Sequence, residues 1–272
     1  QTLTIIGMKN TSGGISATGG PATSKSATIN LHGCYFMSGT IYVSSQGYEL
    51  NVTHSQLDAG YIQGCYGSVI GCDIAYTSGD CIIFNSGSTV LTDTIYVIGN
   101  KVITGYYNGI NMNSITSRFH VKNNYVRSRY MGIRVANACN GTNLLYNNTI
   151  QMYTTSNTCY AVDVYQVATG DILEVMNNAL TYVNCTSSRY GINNDGGNSG
   201  TVNVYFNQID NSCSVPVSSG FTFSGNNNSA NSLSIAADGR LTAGSAAING
   251  GNPAAPFYDL DLTANDAGAY GG

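Results

Sequence analysis

The sequence predicts an all-β protein, a coil of short parallel strands stacked as a solenoid of about eight to nine rungs with an irregular C-terminal cap. Three observations carry that prediction. First, a hexad of pattern hydrophobic-x-polar-polar-x-hydrophobic recurs as LHGCYF at 31–36, VTHSQL at 52–57, VIGCDI at 69–74 and VIGNKV at 97–102. It continues as VKNNYV at 121–126, LYNNTI at 145–150, VMNNAL at 175–180 and VYFNQI at 204–209. Second, each hexad is followed by an apolar-x-apolar strand, clearest in GINMN at 109–113, GIRVA at 132–136, AVDVY at 161–165, GINND at 191–195 and GFTFS at 220–224. Third, no stretch combines helical periodicity with capping residues.

The elements follow in order. Residues 1–30 are irregular and are expected to form an N-terminal cap or first irregular rung, 31–224 the repeats, and 225–272 a degenerate last rung and the C-terminal cap. The fourth hexad position is Cys34, Ser55, Cys72, Asn100, Asn124, Asn148, Asn178 and Asn207, so successive steps are 21, 17, 28, 24, 24, 30 and 29 residues. Strands returning at that period pair with their copies in the next turn, about 4.8 Å away, with Val, Ile, Leu and Phe facing inward. Asn tolerates left-handed bends at corners, and stacked side-chain amides can hydrogen-bond from rung to rung. Asn100, Asn124, Asn148, Asn178 and Asn207 are therefore expected to form a structural ladder.

Composition narrows the function. Only 9% of residues are charged, with 33 Gly and 20 Tyr, which describes a β-rich body surfaced with Asn, Ser, Thr and Tyr. The net charge is −4 with ten Lys and Arg and no basic stripe, which argues against a nucleic-acid partner. No apolar run is long enough to cross a bilayer, so no membrane insertion is expected in this segment. The first residue is Gln1 and no signal peptide is visible, which reads as a processed or excised form. Eight cysteines lack metal-binding spacing. Cys185 and Cys213 follow their ladder positions by seven and six residues, so they are either a disulfide or two buried unpaired thiols. Cys34 and Cys72 occupy the ladder itself and read as buried thiols.

The repeats resemble right-handed parallel β-helix proteins of the pectate lyase and polygalacturonase type. The tail RLTAGSAAINGGNP at 240–253 and DLDLTANDAGAYGG at 259–272 is similar to the closing, anchor-type signature of secreted bacterial β-helix proteins. Leu241, Gly244, Ser245, Ala247, Ile248 and Gly251 match its first part, and Gly268, Ala269 and Tyr270 its second. The resemblance implies an exported bacterial protein, extracellular or on the cell surface. The stretch TSGDCIIFNSG at 77–87 is similar to the G-D-D-C segment of polygalacturonases, but its acidic pair is reduced to Gly79-Asp80. Their G-H-G becomes NGINM, and the Lys of G-I-R-I-K becomes Ala136, so the carboxylate pair that hydrolysis needs is incomplete.

Alternation along the strands predicts an outward column of Tyr42, Gln63, Ile83, Asn111, Arg134, Asp163, Asn193 and Thr222. The next is Ser44, Cys65, Asn85, Asn113, Ala136, Tyr165, Asp195 and Ser224. Arg134, Asp163 and Asp195 converge, with the carboxylates on the order of 8 Å apart. That set suits an inverting glycosidase or uronate binding, or else an exposed Arg–Asp pair and a turn Asp. Tyr106, Tyr107, Tyr130, Tyr165 and Tyr190 form a ridge that either binds sugar or protein or packs upon itself. No cofactor is expected. Asp259, Asp261 and Asp266 are the candidates for calcium if any is bound, and the alternative for them is a place in the cap. Sequons stand at Asn10, Asn51, Asn140, Asn147, Asn184 and Asn227.

The combined reading is a non-catalytic extracellular β-helix, a surface adhesin or extracellular filament subunit with a glycan-contacting face. Its partners are a polysaccharide or surface glycan, or copies of itself end to end. The alternatives are a polysaccharide hydrolase or lyase working through Arg134, Asp163 and Asp195, or the glycan-binding module of a larger secreted protein.

Overall fold

The computed structural model describes residues 1–19, 25–85, 93–138, 141–154, 158–224, 228–254 and 266–270. Among them there is no helix, and the strands lie in three parallel sheets of ten, ten and nine strands. Among the described residues each turn contributes one strand to each sheet except the last, which adds strands to the first and second only. The chain is a parallel β-solenoid, and Thr2–Ile6, Lys9–Asn10 and Ile15–Ala17 already form a first turn paired in register with the second.

The hexad is a corner rather than a strand. Its first two residues end a strand of the first sheet, as in Ala27–His32, and its last two begin one of the second, as in Tyr35–Phe36. The first and last positions point inward in every copy: Leu31 and Phe36, Val121 and Val126, Val204 and Ile209 are all at most 1% exposed. Between them the chain turns through one left-handed residue. This is the third position, not the ladder position the sequence suggested: φ is 60° at Gly33, 65° at Gly99, 56° at Asn123 and 56° at Asn177. Gly and Asn supply that conformation cheaply, while His54 (φ 49°) and Phe206 (φ 55°) hold it against their side chains.

The ladder residues turn their amides into the coil. Asn124 Nδ2 donates to Asn148 Oδ1 (2.9 Å) and to the Val97 carbonyl (2.9 Å), while its backbone N–H donates to the same Asn148 Oδ1 (3.1 Å). Asn100, Asn148, Asn178 and Asn207 repeat the pattern, and Asn228 extends it one turn further. Each ladder amide therefore has a partner inside the core, where an orphan would be costly.

Two sequence expectations about the third sheet are corrected. The segment 220–224 does not continue that sheet, because Phe223–Ser224 pairs with Thr201–Tyr205 in the first sheet. Thr222 is thus outside the outward column, and its hydroxyl accepts from the Val202 N–H. Val215–Val217 takes the place in the third sheet, followed by Ser218 opposite Asn193. Cys65 lies in the core rather than outside, since the strand Ile62–Gly64 has already ended and the bend turns the thiol inward.

The C-terminal segment lies along the side of the coil as a strap on the second sheet. Gly239 (φ 91°) rests on the Tyr125 ring so closely that an added Cβ would stand 2.4 Å from it. The Gly268 N–H donates to the Asn177 carbonyl and the Ala269 N–H to Thr149 Oγ1 (2.8 Å). Leu233, Ala247 and Ala267 pack with Ala179 of the sheet as a small second core.

Candidate functional site

The outer face of the third sheet holds the charged and aromatic side chains singled out in the sequence. Successive turns place Asn111, Arg134, Asp163 and Asn193 in register across Asn108–Ile115, Met131–Ala138, Cys159–Val164 and Arg189–Asn194. Arg134 Nε stands 3.5 Å from Asp163 Oδ2, and the Asp163 side chain is 1% exposed against 31% for Arg134. Asn193 Nδ2 donates to Asp163 Oδ1 at 2.8 Å, while Oδ2 has no hydrogen-bond partner. Burial raises the Asp163 carboxyl above its ordinary range, and the nearby Asp195 adds to that; the Asn193 hydrogen bond and Arg134 oppose it. Asp195 itself is exposed, one turn further on. The three residues are therefore near one another, but as a buried carboxylate paired with Arg134 and an exposed one a turn further on.

The arrangement supplies one buried carboxyl, raised above its ordinary range by burial. A hydrolytic pair needs an acid and a base with divergent environments aimed at one bond. Here Asp163 is engaged laterally by its neighbours in the column. Asp80, left over from the incomplete G-D-D-C pattern, is likewise occupied: it accepts from the Asn108 N–H (2.9 Å) and from Asn111 Nδ2 (2.7 Å).

The tyrosines divide into three groups. Tyr130, Tyr160 and Tyr190 line up on consecutive turns, with ring centroids 6.1 Å apart (edge-on) and then 5.0 Å apart (stacked). Tyr165 lies under the Arg134 guanidinium at 5.6 Å and is 40% exposed. Tyr106 and Tyr107 touch each other edge to face at 4.7 Å, and each is about half exposed. Tyr160 is the central member of the ladder, and the sequence reading missed it. The signal was present: it opens YAVDV as Tyr190 opens YGINN, 30 residues apart.

A second feature escaped the sequence because its parts come from three turns. Arg127, Arg129, Tyr153, Thr154, Val183 and Asn184 line a cleft of about 230 Å³ at the corner between the second and third sheets. The Arg127 guanidinium lies 4.5 Å from the Tyr153 ring centroid, and among the described residues no acidic side chain lines the space.

The cysteines that the sequence offered as a disulfide, Cys185 and Cys213, are both free thiols here. The nearest sulfur to Cys185 is Cys159, with Sγ–Sγ 3.8 Å, while Cys213 faces the Tyr182 hydroxyl (3.5 Å) and the Arg189 carbonyl (3.1 Å). Of the calcium candidates, Asp259 and Asp261 lie outside the described residues, and Asp266 accepts from the Asn249 N–H at 2.7 Å. Among the described residues no three metal-ligating side chains come together. Of the sequons, Asn140 and Asn227 lie outside the described residues, Asn147 is buried at a corner, and Asn184 is exposed on the cleft.

Comparison with known proteins finds no match, whether among protein families, curated proteins or solved structures.

Proposed function

We propose that this chain is a non-catalytic extracellular β-solenoid, a surface adhesin or filament subunit that contacts a glycan with the outer face of its third sheet. The observation that carries the reading is the Tyr130–Tyr160–Tyr190 ladder, a row of rings on consecutive turns beside the polar column of Asn111, Arg134, Asp163 and Asn193. The rings pack against one another, so the row offers ring edges and polar tips rather than open faces, and a row at one-turn spacing suits a polymer better than a small molecule. In the filament form of the same reading, copies of the chain join end to end.

The buried Asp163, raised above its ordinary range by burial and near Asp195, favours a second reading, a polysaccharide hydrolase or lyase with Arg134 holding an acidic substrate. One experiment separates the two. The protein is offered to a panel of acidic and neutral polysaccharides, and binding and product are both measured. The binding reading expects saturable retention without product, weakened about tenfold by Tyr160→Ala, the loss expected from one aromatic anchor. Product that disappears in Asp163→Asn would replace it with the enzyme, and retention untouched by Tyr160→Ala would remove the ladder from the argument. Sedimentation of the same sample tests the end-to-end form, which requires a mass that grows with concentration.

A further inference from the structure

The buried thiols of the last turns have no part in the proposed glycan contact, yet their arrangement is specific. Cys159 opens a third-sheet strand and is fully buried; Cys185 follows the second-sheet strand Ala179–Tyr182 of the next turn and is 7% exposed. Their sulfurs are 3.8 Å apart with the Cys159 thiol directed at Cys185. Cys185 Sγ also accepts from the Thr154 N–H at 3.4 Å, and Arg189 Nη1 donates to the Cys185 carbonyl at 3.0 Å, which brings a cation beside the sulfur. Thr154 and Asn184, the residues against and before Cys185, line the Arg127–Arg129 cleft, so the thiol sits directly behind the cleft wall.

We propose that Cys159 and Cys185 are a redox pair that closes to a disulfide by exchange with a small anionic disulfide of the glutathione type, admitted through the Arg127–Arg129 cleft. The chemistry balances as two exchanges. The Cys185 thiolate attacks one sulfur of the incoming disulfide, forming a mixed disulfide and releasing one thiolate. That thiolate takes the Cys159 proton, and the Cys159 sulfur attacks Cys185 Sγ, forming the Cys159–Cys185 bond and releasing the second small thiolate, which takes up the proton Cys185 lost on ionising. The two protein sulfurs are oxidised and the small disulfide is reduced to two thiols. The roles follow from the surroundings. The hydrogen bond from Cys159, the Thr154 amide and Arg189 draw the Cys185 thiol below its ordinary range, while the bond it donates and its burial hold Cys159 above. Arg127 and Arg129 give the cleft a positive wall in a protein with ten cations overall, and Arg127 Nε is buried there without a hydrogen-bond partner. Closure needs the sulfurs to approach from 3.8 Å to a bond of about 2 Å.

The test is to incubate the folded, reduced chain with oxidised glutathione, alkylate the remaining thiols and map the peptides. The expected result is two fewer alkylated cysteines than in the untreated chain, with Cys159 joined to Cys185. Cys159→Ser is expected to stop at a single glutathione adduct on Cys185, which also shows that the variant folds with Cys185 reactive. Arg127→Gln with Arg129→Gln is expected to slow the reaction of oxidised glutathione at least about threefold while leaving the cationic disulfide cystamine unaffected or faster. Linkage of Cys185 to Cys213, or no reaction of Cys159 and Cys185 in the folded chain, overturns the pair. Equal slowing of both reagents overturns the cleft as the route.

Discussion

Asn148→Ala, in the middle of the ladder, is the sharpest test of what holds the coil together. Asn148 is fully buried. Its Oδ1 accepts from the Asn124 backbone N–H (3.1 Å) and from Asn124 Nδ2 (2.9 Å). Its Nδ2 donates to the Val121 carbonyl (3.0 Å), the Tyr146 carbonyl (3.1 Å) and Asn178 Oδ1 (3.0 Å). Truncation does not affect these groups equally. Asn124 Nδ2 keeps the Val97 carbonyl, and Asn178 Oδ1 keeps the Asn148 backbone N–H. The Asn124 N–H loses its acceptor outright, and an orphaned buried donor costs about 1–3 kcal/mol. Adding the weakened acceptors and the small void gives roughly 3–5 kcal/mol, a large share of the ~5–15 kcal/mol that keeps a domain folded.

The assay is thermal and urea unfolding of Asn148→Ala beside Asn51→Ala. Asn51 belongs to an outer ladder, donating to Asn30 Oδ1 (3.1 Å) and accepting from Ser68 (2.8 Å), where water can replace the lost amide. At about 2–4 °C per kcal/mol for a chain of this size, Asn148→Ala should melt on the order of 10 °C lower, and Asn51→Ala within ~3 °C of the parent. Turns of a solenoid contact only their neighbours, so hydrogen exchange should locate the loss in the turns around residue 148. Equal effects of the two substitutions would refute the claim that the inner ladder stabilises the coil through buried amide satisfaction.

Three further expectations follow from single sites. Phe206 holds φ 55° against its side chain, so Phe206→Asn should stabilise by up to about 1 kcal/mol in urea, less whatever the Tyr205 ring contact contributes; a loss of stability would place the ring contact above the backbone strain. Because burial raises the Asp163 carboxyl in the folded state, its contribution is complete below the unfolded value and fades as pH rises through the folded one. Asp163→Asn should therefore gain on the parent in urea midpoint between about pH 4 and 7, and the opposite slope would mean that the Arg134 pairing outweighs burial. Gly239→Val would drive a side chain into the Tyr125 ring, so limited proteolysis should cut the strap within 232–254 while the coil remains folded; cleavage throughout the chain would mean that the strap is integral to the coil.

What the sequence revealed, and what it hid, divide along the direction a side chain faces. Inward positions were legible because every turn imposes the same demand on them: Val97, Val121 and Leu145 stack in one column, and the repetition itself is the signal. The ladder was legible for the same reason, but its neighbour was misread. Asn123 and Asn124 are chemically identical, and only the backbone tells which one bends left-handed and which one turns its amide into the core. Outward positions carry no repeated constraint, so their alignment depends on counting residues through loops of unequal length. One miscount displaced Thr222 into the wrong sheet, and the same uncertainty hid Tyr160 between Tyr130 and Tyr190. The cysteines show the limit most clearly. Offsets of seven and six residues from the ladder offered Cys185 and Cys213 as either a disulfide or two unpaired thiols, yet contact is decided by which sheet each bend has reached. Cys185 has turned inward behind the second sheet, toward the start of the third-sheet strand one turn earlier, and the sulfur waiting there is Cys159. In this solenoid the Cys159–Cys185 contact lies where turns of unequal length meet, which is where periodicity stops informing.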